Sequence, residues 1–324
     1  MKHFKSFMAP QLQQYAAYRL ALGYAKKCIK PPLLAFDRYL IDQNATWQQL
    51  QPAFFLQLRA KISDHPNTVN TTLSALRSFF QFLVRQSICD NNPLKDIPPL
   101  PERYFVPFVF SPGQTERLLH AASQNIRKTP KYFLTDMAIY LAIVLLARCG
   151  MRINEPLRMH RDQYYRHDGT VYIEKTKFRK DRLVPVPKIA LTQIENYLAL
   201  RTALRADDQN PYLLAARKQR QLRGRQVRDA FHQAVKDIRI NQPKQVIGNI
   251  TFGKPLPHSL RHGFAIDTLN QIKARGNCPQ QALPVLATYM GHRKYQYTAA
   301  YLKVKDARDI PGLIAFTKSQ LDVV

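Results

Sequence analysis

Between Asn67 and Gln86 the residues Val69, Leu73, Leu76, Phe80 and Leu83 recur at alternating spacings of four and three, the stripe of a helix packed on a core. Arg77 and Arg85 fall off that stripe. Leu33, Phe36 and Leu40 mark a second short helix, and 10–24 and 47–62 are also helix-like, so the first hundred residues read as a small all-α bundle. Further on, Ser111-Pro112 has the form of an N-cap followed by proline at the first helical position. The apolar run from Thr135 to Cys149 reads as a buried helix ended by Gly150.

Period-two patterning replaces helical patterning in Val171-Tyr172-Ile173 and Leu183-Val184-Pro185-Val186, which flank the polar turn Phe178-Arg179-Lys180-Asp181 and predict a hairpin. From Ile189 onward the pattern is helical again, with breaks near Asn210-Pro211, from Asn241 to Lys254 and at Arg275-Gly276-Asn277. Six prolines, at 93, 98, 99, 101, 107 and 112, fall within twenty residues and mark a connector, because proline fixes φ and removes a backbone donor. The expected organisation is therefore an N-terminal bundle over 1–92, a linker over 93–110 and a mostly helical second domain with one small antiparallel sheet over 111–324.

The chain has 324 residues, enough for two domains with ordinary cores. Its 49 Lys and Arg against 22 Asp and Glu leave a net charge of +27, a field whose natural partner is a polyanion, nucleic acid before an anionic membrane. The longest apolar run, Met137 to Ala147, is eleven residues, against the about twenty a spanning helix needs. The basic start Met1-Lys2-His3-Phe4-Lys5 leads into no apolar signal region. Cys28, Cys89, Cys149 and Cys278 form no C-x-x-C pair, which argues against both a disulfide framework and a zinc site and for a reducing, cytoplasmic setting.

Four clusters carry candidate chemistry. Gly150-Met151-Arg152-Ile153-Asn154-Glu155 follows the most apolar helix, with Asn154 placed to cap the next one; an Arg–Glu pair three apart is, by itself, a common surface pair. The hairpin carries Lys175, Lys177, Arg179, Lys180 and Arg182, any of which suits phosphate contact, while a lysine at a strand–turn junction suits proton donation to a leaving oxygen. His258-Ser259-Leu260-Arg261-His262 puts His258 and Arg261 one helical turn apart, a cradle for a phosphate. Gly291-His292 precedes Tyr295, Tyr297 and Tyr301. Apart from these four, Arg217, Lys218, Arg220, Arg223, Arg225 and Arg228 crowd 217–228 without an acid, denser than a merely solvated helix face needs.

The order Arg152, hairpin lysine, His-x-x-Arg, Gly-His and a tyrosine nine residues later resembles the catalytic series of the tyrosine recombinases, the phage-integrase and Xer-like family. Nearly the whole chain takes part. Leu20-x-x-Gly23-Tyr24, Thr68-Val69-Asn70, Leu76-Arg77-Ser78-Phe79-Phe80 and Asn92-Pro93-Leu94 are similar to the family's SAM-like core-binding domain, and 108–324, including Leu183-Val184-Pro185-Val186-Pro187, to its catalytic domain. Pro156 departs from the family's usual aliphatic residue, and an extra arm-binding domain ahead of the bundle is not expected.

The resemblance implies a mainly α fold with a small antiparallel β-sheet, the two domains forming a C-shaped clamp on DNA. It makes Arg152 and Arg261 phosphate clamps, Glu155 the brace of Arg152, Lys177 the hairpin lysine, His258 and His292 the two histidines, and Tyr301 the nucleophile. Arg77, Arg179, Lys180 and the 217–228 cluster become DNA contacts. The implied reaction is site-specific cleavage and rejoining of double-stranded DNA through a 3′-phosphotyrosyl intermediate, without metal or other cofactor. An inverted-repeat core site, a homotetramer on paired sites and accessory DNA-bending proteins are implied as partners, with no membrane and a bacterial, nucleoid-associated setting. Integration, excision or resolution of a mobile element or replicon is the expected role. The alternatives are a type IB topoisomerase-like relaxing enzyme and a non-catalytic DNA-binding regulator. Apolar Ile310, Leu313, Ile314 and Phe316 near the chain end are expected to dock on a neighbouring protomer.

Overall fold

The computed structural model describes residues 3–63, 65–174, 181–205, 208–217, 220–292, 296–303, 312, 314 and 315. Two compact units divide the chain, Met1–Arg103 and Tyr104–Val324.

Among the described residues the first unit has four α-helices: α1 (Ala9–Ala21), α2 (Lys26–Asp42), α3 (Pro52–Ile62) and α4 (Pro66–Arg85). The stripe read from α4 is buried as expected, and its Phe79 and Phe80 join Phe36 and Phe55 in a knot of aromatic rings, Phe55 and Phe80 lying edge to face at 5.2 Å. Asp37, buried on α2, accepts from the backbone N–H of Lys5 and Ser6 at 3.0 Å each and ties the N-terminal lead into the bundle. Motif residues of α4 hold the proline-rich segment: Asn70 exchanges two 2.8 Å hydrogen bonds with Leu100, and Arg77 donates to Leu94 O and Ile97 O at 3.0 and 2.9 Å. Those two bonds commit part of the Arg77 donor fork inside the unit, to carbonyls that proline-interrupted chain cannot pair with a ladder.

The segment taken as linker is not all connector. Residues Tyr104–Val106 form strand β1, and Val109 and Phe110 are buried in the second unit. There α5 (Pro112–Gln124) begins with Ser111 and Gln114 in a reciprocal capping box, as the Ser-Pro signal predicts. Helix α6 (Phe133–Arg148) buries eleven of its sixteen residues and is packed by α5, α7 (Asn154–Arg158), α8 (Lys188–Leu204), α9 (Gly224–Asp237) and α10 (Pro257–Ala274). Helices α11 (Pro279–Met290) and α12 (Gln296–Lys303) follow.

The expected hairpin exists: β2 (Tyr164–Tyr165), β3 (Thr170–Ile173) and β4 (Arg182–Pro185) form an antiparallel sheet with Val171 opposite Val184. A second sheet was not foreseen. Strands β5 (Gln245–Ile247) and β6 (Ile250–Phe252) pair antiparallel around the two-residue turn Gly248-Asn249, and β1 adds to β6 in parallel. Three-residue strands are too short for alternation to register, so this stretch reads as a break. Ile314 packs against this chain's own core. Ile310, Leu313 and Phe316 lie outside the described residues.

Replacing Asp37 by alanine leaves two N–H groups unpaired at a buried position and is expected to cost about 1–3 kcal/mol, read as a lowered denaturation midpoint of the full chain in urea.

Candidate active site

The end of α11 organises the site. The last carbonyls of a helix have no partner within it and carry partial negative charge, so cations gather there. Here three consecutive carbonyls each take an arginine from a different element: Tyr289 O accepts Arg182 Nε at 2.7 Å, Met290 O accepts Arg261 Nη2, and Gly291 O accepts Arg152 Nη2 at 2.8 Å. Gly291 makes the turn possible, with φ +64, in the left-handed region that favours glycine. Its neighbour His292 donates its backbone N–H to Ala287 O at 2.9 Å, closing a Schellman-type end that fixes where the histidine stands.

Arg261 is almost wholly buried, 1% exposed, and its Nη1 bonds Gly150 O at 2.5 Å. Gly150 has φ +57, and a Cβ there would lie 2.4 Å from the Phe264 ring, so the turn after α6 requires glycine twice over. Burial, with the nearby Arg152 charge, brings Arg261 down to about 10, still cationic at neutral pH.

Glu155 joins the remaining charges. Its carboxylate accepts from Arg152 N at 2.8 Å and Arg152 Nη1 at 3.0 Å, and from Arg182 Nη1 and Nη2 at 3.1 and 2.9 Å. Burial opposes its ionisation, but the Arg182 fork and then Arg152 outweigh burial and hold the carboxyl below the ordinary range. Asn154, expected to cap α7, is instead its first residue, and the cap position is held by Ile153, which makes no side-chain cap hydrogen bond. Pro156 falls in the first turn of α7, where its missing N–H costs nothing.

On the other side of Arg261 stand the rings. Tyr301, on α12, is 7% exposed, and its Oη lies 3.2 Å from His262 Nδ1. His292 Nδ1 lies 2.7 Å from Thr298 Oγ1, and its ring is stacked 6.2 Å from that of Tyr301. His258 is exposed in the first turn of α10, its ring edge-on to His262 at 4.8 Å. Burial raises Tyr301, opposed by Arg261 and Arg152. Burial and the surrounding cations push His262 down to about 3 and His292 to about 4, so both imidazoles are neutral at pH 7.

The structure thus brings together Arg152, Glu155, Arg261, His292 and Tyr301, with His258 at the outer edge. Lys177, Arg179, Lys180 and Lys218, and the rival Lys175, lie outside the described residues. Arg217, Arg220, Arg223, Arg225 and Arg228 are all exposed, and the first four line one cavity of about 760 Å³ with Tyr132. Sequence reasoning missed Arg182 and His262 as members of the site. Arg182 is two and four residues before buried Val184 and Val186, so strand alternation would have turned it inward. Among the described residues no cluster of three His, Cys, Asp or Glu could hold a metal ion, and no helix is long and apolar enough to cross a membrane.

Residues 109–308 match the phage integrase family and 30–87 the phage integrase N-terminal SAM-like domain. An integrase/recombinase of Sinorhizobium fredii, y4rE, is 28% identical over 307 residues, 93% of each chain. Among solved structures, a lambda integrase dimer bound to a core site aligns with TM-score 0.67 at 16% identity, over 93% of this chain and 77% of that one. The XerH site-specific recombinase in a post-cleavage complex with a palindromic substrate aligns with TM-score 0.65 at 17% identity, over 93% and 84%. The chain belongs to the phage integrase family of tyrosine recombinases, enzymes that cut and rejoin DNA at specific sites.

Removing the acid from between two largely buried arginines should be severe: Glu155→Ala is expected to cost about 3–5 kcal/mol of unfolding free energy. Because the folded Glu155 titrates below its ordinary value, its stabilisation is full above that value and fades as pH falls through and below it. Chemical denaturation between pH 3 and 7 should show a shallower acid loss in Glu155→Gln than in the parent protein.

Proposed function

We propose that the chain recombines DNA through a covalent 3′-phosphotyrosyl intermediate formed on Tyr301. The observation that carries this is the burial of the Tyr301 phenol against His262 Nδ1 at 3.2 Å, beside the sunk guanidinium of Arg261. A phenol attacks phosphorus, the 5′ oxygen leaves, and the ester stores the bond energy for rejoining. Arg152, Arg261 and His292 neutralise charge on the nonbridging oxygens as it builds. Backbone carbonyls hold Arg152 and Arg261, and Thr298 meets His292, which limits the reorganisation the reaction would require. The phenol's proton leaves toward the histidines of α10, and Lys177 protonates the departing 5′ oxygen.

The +27 charge fits a duplex partner, with affinity falling steeply as salt rises. The exposed arginines 217, 220, 223, 225 and 228 are the proposed phosphate contacts in the second unit, with Arg179, Lys180 and Lys218 as further contacts on the strength of the resemblance. The same resemblance supports an inverted-repeat site, a tetramer on paired sites, DNA-bending helpers, a cytoplasmic setting and a role in moving or resolving a DNA element.

On a nicked suicide substrate the parent protein is expected to form an adduct whose peptide maps to Tyr301. Tyr301→Phe should bind DNA with the parent's salt dependence and form none; mapping to Tyr295 or Tyr297 would contradict the assignment. Relaxation of a plasmid lacking any recombination site would favour the topoisomerase reading instead.

A bridging 5′-sulfur leaves without protonation, so such a substrate should restore cleavage to Lys177→Ala. Rescue of Lys175→Ala and not of Lys177→Ala would shift the acid by two residues along the hairpin.

A further inference from the structure

We propose that His262, the residue following the clamping Arg261, is the general base that takes the Tyr301 proton as Oη attacks phosphorus, and the acid that returns it when the ester is resolved. The inference rests on the reading of Tyr301 as nucleophile.

Geometry comes first. His262 Nδ1 is 3.2 Å from Tyr301 Oη, within reach for direct proton transfer, and the two rings are tilted with centroids 5.5 Å apart. His262 is one residue past Arg261 on α10, so the guanidinium that steadies phosphate and the imidazole that receives the proton are carried by one rigid helix. His258, four residues earlier on the same helix, is exposed and its ring lies edge to face with that of His262 at 4.8 Å.

Chemistry agrees. The groups facing His262 are His258 and Arg261 on its own helix, His292 from the turn after α11, and Tyr301 on α12. Burial, then His258, Arg261 and His292, keep its imidazole neutral and able to accept. An incoming phosphodiester adds negative charge to this cationic pocket and raises the basicity of His262 at the moment a base is needed. In the forward step the O–H bond of Tyr301 breaks and an N–H bond forms on Nδ1, while the Oη–P bond forms, the P–O5′ bond breaks and O5′ takes a proton from Lys177. In the reverse step the 5′ hydroxyl gives its proton back to Lys177 as O5′ attacks phosphorus, the Oη–P bond breaks, and Nδ1 returns the proton to the departing phenolate. No co-reactant is consumed.

The test uses full-length protein, a nicked suicide duplex with a bridging 5′-sulfur, and single-turnover adduct formation across pH 5.5–9.5. His262→Asn keeps a polar atom near the Nδ1 position but cannot take a proton; His262→Ala removes both. Both are expected to lower the adduct rate by about 10²–10⁴-fold while duplex affinity and thermal midpoint stay close to the parent's. The variants' rates should climb with pH across the whole range, where the parent's levels off. Replacing Tyr301 by 3,5-difluorotyrosine, a more acidic phenol, should restore His262→Asn far more than it speeds the parent, a rescue that a merely packing role would not give. A parent-like rate and pH profile in His262→Asn, or no fluorotyrosine rescue, would overturn the proposal. Absence of any Tyr301 adduct in the parent protein would instead overturn the nucleophile reading beneath it.

Discussion

Three unpaired carbonyls at the end of α11 set the terms for the whole site. A helix must leave its last carbonyls unsatisfied, and here Tyr289, Met290 and Gly291 offer theirs in succession to Arg182, Arg261 and Arg152. The arginines come from a strand, a long helix and the loop before α7, so one helix terminus draws three distant parts of the sequence to one point. Concentrating three guanidiniums would be repulsive without compensation. The carbonyl dipoles supply part of it and the Glu155 carboxylate, shared between Arg152 and Arg182, the rest.

This arrangement explains how a buried cation can keep its charge uncancelled. Arg261 is held by Gly150 O on one side and Met290 O on the other, both neutral acceptors, so its charge is oriented without being cancelled. Arg152 is bound to a carboxylate but keeps more exposure than Arg182, 21% of its side chain against 7%. The two therefore divide the work: Arg182 braces, whereas Arg152 still faces outward. Around them the imidazoles of His262 and His292 are neutral because the same cations and the same burial disfavour a further positive charge.

Much of this was legible in the residues. The stripe of α4, the Ser111 cap, the buried α6 and the β3–β4 hairpin all follow from periodicity and turn chemistry, because long segments average out local exceptions. The order of Arg152, His258, Arg261, His292 and Tyr301 pointed to this candidate site through resemblance, and the structure gathers all but the outlying His258 around the end of α11. What escaped was information that sequence does not carry locally. The pairing of β1 with β6 joins positions almost 150 residues apart through three-residue strands. Arg77 looked like a free cation off a helix stripe, yet the carbonyls it binds belong to a proline-rich segment with no partners of its own. His262 stood next to a conspicuous arginine, and only the position of α12 distinguishes it from His258.

The anchors of the three arginines are backbone atoms, and this shapes what the chain can tolerate over evolutionary time. A side-chain substitution along α11 leaves every carbonyl in place, so much of that helix is free to drift in composition while the site persists. Inserting or deleting a single residue is different, since it rotates everything beyond it by about 100° and aims all three carbonyls away at once. Homologous chains should therefore vary in sequence through this helix while holding constant the number of residues between its packed face and Gly291.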